Sequence, residues 1–575
     1  MAILLAAAAL RLTLLSIKPP HFDEGVNGWF VDQITHTGFY HYDPTNYHGP
    51  FHFYVLFLCQ TLLGRHIWAL RLPLALAGVG AVWLTLRFDR FIGRGAARWA
   101  AAAMAVSPGC VFYSRYAIHE NWLVLALMLC AWGLAGLWQS GARKYLWALW
   151  IGITLAVLTK ETYVIHFGCA ALTFACVWLL GTISPHGGGE AAGKREWSAR
   201  DMILGSLMFA GCVLFFYSGT FMDLPGLKGL YQTYGAWVHT GQTGNGHEKV
   251  WYYWLQLFGQ YEWFSCVGLV VAFLCTMPRM PFGIRVPLAV VLAAFGACSI
   301  SHDIFLLYGV KILPFISHLG TPCYIVAPLC LVLILAVLFP LSRPPRVIRA
   351  LAIYGCGALA AYSIVHYKTP WCIVSLTWPF LFLFGYGVDF ACQKFGSPVA
   401  VVSATILIAN LCDTIYLNFF HFTDQKQPYV YVQTYSDIDK LMNPLNTLIF
   451  LNPANYQIKG HIILDSYHPL PWLLGDFPNI GYYDDNTTPP QMDADFLLVE
   501  ETRVDQIEAG LHNSYFTDAF KLRDAQEKSK LYLSAKKFQA LFPDRTPEFV
   551  PEPQPSPSSP AKPGSSATPP TVATP

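Results

Sequence analysis

Two adjacent carboxylates, Asp23 and Glu24, stand in the run His21-Phe22-Asp23-Glu24-Gly25, and four later runs mix acids, bases and aromatic residues in the same way. These are Tyr47-His48-Gly49-Pro50, the stretch from Ser114 to Asn121 with Arg115, His119 and Glu120, Thr159-Lys160-Glu161-Thr162, and Tyr367-Lys368-Thr369-Pro370-Trp371. A carboxylate held beside a hydroxyl can act as its general base. Fixed cations can hold a phosphate as it leaves, a role open to Arg115, Lys160 and Lys368. Trp29, Tyr47 and Trp371 can stack on a sugar or support a lipid chain. His21, Tyr47, His48, His119, Glu120, Glu161, Tyr367 and Trp371 complete a candidate substrate-binding set around the carboxylate. A divalent cation stays open: His21, Asp23, Glu24, His48, His119 and Glu120 include potential ligands, but their spacing specifies no geometry.

Each run also has a plainer reading. Asp23-Glu24 can cap a helix, whose N-terminus favours carboxylates. Arg115, Lys160 and Lys368 can snorkel to lipid headgroups. His119-Glu120 and Lys160-Glu161 can be surface neighbours, and Tyr47 to Pro50 a simple turn.

The elements that would position these groups are membrane helices. Of 575 residues, 54% are hydrophobic and 13% charged, against about 25% charged in soluble proteins. From Met1 to about Asn418 apolar stretches recur at the length, about 18 to 25 residues, that crosses a bilayer. They are continuous rather than alternating, which excludes a β-barrel. About thirteen spans are expected, near 1–18, 67–86, 96–113, 121–138, 145–160, 163–181, 201–221, 252–277, 286–303, 320–340, 348–365, 372–390 and 398–418. Met1 to Ile17 lacks a basic leader region and is broken by Arg11, so it reads as a first span, with upstream residues left open.

Every second connection is basic: Arg87 to Arg98, Arg143-Lys144, Lys194 to Arg200, Arg279 to Arg285, Arg343 to Arg349, and Lys394. Basic loops stay on the cytoplasmic side. The first loop, 19–66, and the loops at 222–250 and 366–371 then face outward, and so does everything after the last span. Gly187-Gly188-Gly189 falls in a cytoplasmic linker and lacks the strand–turn–helix setting of a phosphate loop.

Residues 419–545 alternate strand-like runs (Leu448 to Leu451, His461 to Leu464, Phe496 to Val499) with helical ones (Asp437 to Leu445, Val504 to Leu511). This is the pattern of a small extracytoplasmic α/β domain. Residues 546–575 are rich in Pro, Ser, Ala and Thr and read as a disordered tail. A formal charge of +2 favours no nucleic-acid partner. None of the fifteen cysteines follows Cys412, and none has metal or redox spacing.

The acid–base runs therefore gather on the outward side while the spans stay clean. Ionisable groups at membrane depth cost roughly 2.5–3.5 kcal/mol each and mark function. Scattered interfacial charges would not produce such a set on one face. The chemistry that fits is sugar transfer from a polyprenyl phosphate, with Asp23 as the base.

At these residues the chain resembles the GT-C glycosyltransferases, among them protein O-mannosyltransferases and aminoarabinose transferases. The resemblance rests on Asp23-Glu24 in the first outer loop, on two interfacial helices (Asn27 to His36 and Pro50 to Leu63), and on the outer C-terminal domain. His21 to Gly25, His48-Gly49-Pro50, Thr159-Lys160-Glu161 and Tyr367 to Trp371, in that order, are similar to the flippase-activity-associated family of archaeal N-glycosylation clusters and its bacterial members. The resemblance spans about residues 1–420. It implies a catalytic Asp23 supported by Glu24, a polyprenyl- or dolichyl-phosphate sugar as donor, and a multi-pass inner-membrane enzyme moving a hexosyl or pentosyl group. Competing readings are a lipid-linked-glycan flippase or its partner, and an inactive scaffold. A secondary transporter is disfavoured, because no internal repeat stands out.

Overall fold

A computed structural model describes residues 1–46, 48–183, 195–244, 246–277, 280–306, 323–341, 344–484, 487–524 and 526–551. Tyr47, the Gly187–Gly189 run and the tail beyond residue 551 lie outside the described residues. The chain divides into two units, Met1–Thr434 with His468–Gly475, and Tyr435–Tyr467 with Asp476–Pro575. Residues 419–434 follow the last apolar run but stay with the first unit, because their polar side chains bond back to its helices.

The first unit is helical, and each of the thirteen apolar segments contains a helix. Among the described residues seven helices are long and apolar enough to cross a membrane. An eighth is formed if the pair Tyr253–Tyr261 and Trp263–Thr276, bent by 118°, counts as one span. Several other segments are shorter than expected. Helix α1 is Ala2–Leu12 and stops well short of residue 18. Segment 96–113 is two helices, Arg94–Val106 and Pro108–Ser114. The break has a local cause. Proline suits the first position of a helix but not its interior, and the Ser107 side chain caps the new start by accepting from the Cys110 N–H.

Helices α2 (Phe22–Thr37) and α3 (Phe51–Leu63) correspond to the two interfacial helices, and α4 (Ile67–Leu86) follows them. Val31, Leu56, Leu70, Leu74 and Ala117 form a small apolar core with Trp472. Contact there is close: a Cβ at Gly28 would stand 2.5 Å from the Trp472 ring. The larger core runs through the remaining helices, with Phe88, Phe112, Phe258, Phe264, Trp378 and Phe382 at its centre.

The second unit is a five-stranded sheet in the order β2-β1-β3-β5-β4. The strands are β1 Lys459–Ile463, β2 Asn479–Tyr483, β3 Phe496–Glu500, β4 Tyr515–Phe520 and β5 Ser529–Ser534. β1 is parallel to β2 and β3, while β5 is antiparallel to β3 and β4. Ile463, Leu497, Val499, Tyr515 and Tyr532 pack on one face. Leu448 to Leu451 is not a strand. It completes the helix Ile438–Leu451, whose buried side chains Ile438, Leu441, Leu445 and Leu448 recur at helical spacing.

Candidate active site

The two neighbouring carboxylates are used differently. His21 caps α2: its Nδ1 accepts from the Asp23 N–H at 3.0 Å, and the Glu24 carboxylate accepts from the His21 N–H at 2.9 Å. This reciprocal box satisfies two orphan donors at the helix start. Glu24 does more. Its two oxygens accept from Arg71 Nε at 2.7 Å and Nη2 at 2.6 Å, and one also accepts from the Ala117 N–H at 2.8 Å. Both partners of this ion pair are fully buried. Burial by itself would raise the Glu24 carboxyl, but Arg71 and the two backbone donors outweigh it and hold the group below its ordinary value.

Successive residues on a helix point about 100° apart. With Glu24 turned inward, Asp23 is left half-buried, and no described residue hydrogen-bonds its carboxylate. One charge locks the helix in place; the other is available.

Several aromatic and basic groups gather around His21, two residues before Asp23. His21 meets Tyr116 edge-on at 5.3 Å and Trp371 at 5.7 Å. Its Nε2 lies 2.8 Å from the Tyr431 carbonyl. A narrow cleft is lined by His21, Tyr113, Tyr116, Trp371, Tyr429 and Tyr431. His247 Nδ1 is 2.6 Å from the Tyr431 hydroxyl. Burial draws His247 below its ordinary value, and the Asp23 charge opposes that pull. The segment carrying His247 pairs with the predicted outer turn: Glu248 bridges Tyr367, and the Lys368 N–H donates to the His247 carbonyl at 3.1 Å. Lys368 Nζ donates to the carbonyls of Lys249, at 3.2 Å, and Val365. Burial pushes this ammonium down to about 8.

A second cluster adjoins the first through Cys372, which is next to Trp371 and within electrostatic range of Lys160. Lys160 forms a buried ion pair with Glu120, and Glu161 Oε2 lies 3.2 Å from His48 Nδ1. The His119 ring packs between those of His48, at 4.5 Å, and His52, at 4.1 Å. Burial and its basic neighbours His52, His48 and Lys160 hold His119 well below the ordinary imidazole value, hence neutral. Backbone pairing of Gly49 and Phe51 with Thr159 and Leu158 brings these runs together. Only glycine fits there, since a Cβ at Gly49 would stand 2.2 Å from the Leu158 carbonyl oxygen. Among the described residues no three His, Cys, Asp or Glu side chains are placed to hold a metal ion.

Arg115, expected among the phosphate ligands, is placed elsewhere. Its Nη1 donates to the carbonyls of Leu10 at 3.0 Å and Thr13 at 2.6 Å, and its Nη2 to Leu14 at 2.9 Å. Leu10 lies in the last turn of α1, whose carbonyls lack helical partners, and Thr13 and Leu14 lie just beyond it. Arg115 is a helix-end cap. His247, Tyr116 and Tyr431 were not anticipated. His247-Glu248-Lys249 has the same acid–base look as the runs that were singled out, and its outer loop was the available signal.

The family model for dolichyl-phosphate-mannose-protein mannosyltransferases matches residues 47–186. The Bacillus subtilis (strain 168) protein named "Putative mannosyltransferase YycA" is 34% identical over 139 residues, 21% of this chain and 20% of that protein. The matched stretch is thus about a fifth of the relative's length. ArnT from Cupriavidus metallidurans, solved bound to undecaprenyl phosphate, aligns over 92% of this chain and 97% of its own, with a TM-score of 0.52 and 12% identity. The fold is that of the GT-C membrane glycosyltransferases.

Proposed function

We propose that this chain moves a sugar from a polyprenyl-phosphate-linked donor to an acceptor on the extracytoplasmic face of the membrane. The observation that carries the reading is the division of labour at Asp23-Glu24: the buried acid is spent on Arg71, and the half-buried acid opens beside an aromatic cleft with no partner of its own. Asp23 takes the proton of the acceptor hydroxyl as that oxygen attacks the anomeric carbon. The glycosidic C–O bond to the lipid phosphate breaks, and the phosphate leaves with one more negative charge. Lys368 offsets that charge, having one ammonium proton beyond the two given to carbonyls. The Lys160–Glu120 pair and the His48–Glu161 pair hold the adjoining wall. His21, Trp371, Tyr116 and Tyr431 offer aromatic faces to the sugar, and Tyr367 packs on His247 at a ring distance of 5.1 Å. The likeness to ArnT, a protein solved with a polyprenyl phosphate, supports this donor class.

The test is reconstitution in lipid vesicles with a labelled polyprenyl-phosphate hexose. Release of polyprenyl phosphate together with transfer of the label to a hydroxyl acceptor or water is expected. Movement of intact donor between leaflets without cleavage would instead identify a flippase.

Lys368 sets the alkaline limit. The free protein loses the ammonium as pH rises through about 8, so kcat/KM for the donor should fall above that value. Lys368→Met should raise the donor KM at pH 7 and abolish this alkaline limb. Lys368→Arg should move the limb upward, since a guanidinium stays charged. A wild-type profile flat to pH 10 would remove Lys368 from the phosphate site.

A further inference from the structure

Between the last membrane helix and the sheet unit, residues 427–433 form a strap, opening with a turn closed by the Val430 N–H to the Gln427 carbonyl at 2.8 Å, in which every second residue is bound to the helices of the same unit. Gln427 accepts from the Tyr261 hydroxyl at 2.8 Å. The Tyr429 hydroxyl donates to Glu262 at 3.1 Å, and the Tyr429 carbonyl accepts from the Tyr113 hydroxyl at 3.1 Å. Tyr431 meets His247 and His21 as described above. Gln433 accepts from the Tyr116 hydroxyl at 2.6 Å and donates to the Pro19 carbonyl at 2.9 Å. Beyond that turn Val432 takes a left-handed φ of 53°, so the strap is bent rather than strand-like. It brings Tyr429 and Tyr431 to the cleft.

Glu262 is the anchor. It lies at the sharp bend between the helices Tyr253–Tyr261 and Trp263–Thr276 and is completely buried. One oxygen accepts from Ser107 Oγ at 2.7 Å; the other accepts from the Gly109 N–H at 2.7 Å and from Tyr429. No basic side chain pairs with it among the described residues. The helix Pro108–Ser114, which these bonds hold at its start, carries Tyr113 and leads directly into Tyr116. The Tyr429 ring stacks on Tyr261 at 4.2 Å. One carboxylate therefore ties together the bend, the segment bearing Tyr113 and Tyr116, and the strap bearing Tyr431. Packing alone does not call for a carboxylate here, because burying one is costly unless donors surround it. Being buried, it is sealed from substrate.

We propose that Glu262 is a positioning residue for the transfer reaction: through Tyr429 it fixes the strap that holds Tyr431 against His21 and His247, and so sets the shape of the cleft beside Asp23. The proposal rests on the reading of Asp23 as the base. Misplacing reacting groups by about 1 Å can cost about 100-fold, so Glu262→Ala should lower kcat by about 10-fold to 100-fold while the donor KM changes little. Glu262→Gln keeps an oxygen for Gly109 and Tyr429 and should recover most of the rate. Tyr429→Phe removes only the link to the strap and should reproduce much of the Glu262→Ala loss at unchanged membrane abundance.

A second readout does not depend on activity. With Tyr431→Cys as a probe site, labelling at position 431 by a membrane-impermeant maleimide, read by mass spectrometry, should accelerate about 10-fold when Tyr429→Phe is added. Here a segment that loses an anchor opens locally. If Tyr429→Phe leaves both kcat and the labelling rate at their starting values, the proposal is overturned. The same holds if Glu262→Ala loses activity only in proportion to its abundance. Failure of the underlying reading looks different: Asp23→Asn would then transfer at the wild-type rate, whatever the strap variants do.

Discussion

Replacing Asp23 with Asn is expected to lower sugar transfer by about 10² to 10⁴-fold, the range that a positioned general base contributes. The side chains are nearly identical in shape, and asparagine cannot accept the proton. The same substitution should leave the fold alone. No described residue hydrogen-bonds the Asp23 carboxylate, and its N–H bond to His21 is a backbone bond that asparagine keeps. Membrane abundance and thermal stability should therefore match the wild type, and donor KM should change far less than kcat. Transfer at the wild-type rate by an abundant Asp23→Asn protein would take the base away from Asp23.

The neighbouring acid should show the opposite pattern. Arg71→Met leaves the Glu24 carboxylate buried without its cation, and breaking such a pair costs about 3–5 kcal/mol. The loss extends to the loop before α2, because Arg71 also donates to the carbonyls of Leu15 at 2.7 Å, Lys18 at 3.0 Å and Pro19 at 3.1 Å. Glu24→Gln should destabilise as well. The double variant should lose less than the sum of the two, since neither then leaves an unpaired charge. Thermal unfolding of the detergent-purified proteins measures this cycle, and strict additivity would contradict the pairing. The pH dependence has a definite sign. A carboxyl held below its unfolded value of 4.5 contributes stability that is complete above that value and is lost as pH falls through the lower, folded one. The Arg71→Met protein should lack this acid-side loss.

Much of the helical unit was legible because membrane spans are long, continuous apolar runs, and each such run contains a helix. The helices α2 and α3 were expected from the family resemblance, and both are present. What escaped was decided by tertiary partners. Asp23 and Glu24 are equivalent on paper, and only Arg71, forty-seven residues away, turns Glu24 into a structural group. Arg115 has the type and depth of a phosphate ligand, but α1 ends at Leu12 and the carbonyls around that end claim the guanidinium. Leu448 to Leu451 is too short an apolar run to tell strand from helix by itself. His247 belongs to an acid–base run in an outer loop, whereas the strap carries no motif. Its alternating contacts are visible only once Tyr113, Tyr116, Tyr261 and Glu262 converge on it.

The most direct measurement is a structure determined with a polyprenyl-phosphate sugar bound to the Asp23→Asn protein. The donor phosphate is expected within hydrogen-bonding distance of Lys368, with the sugar against Trp371 and Tyr431 and residue 23 on the far side of the anomeric carbon. A phosphate seated away from Lys368, with residue 23 turned from the sugar, would contradict the account.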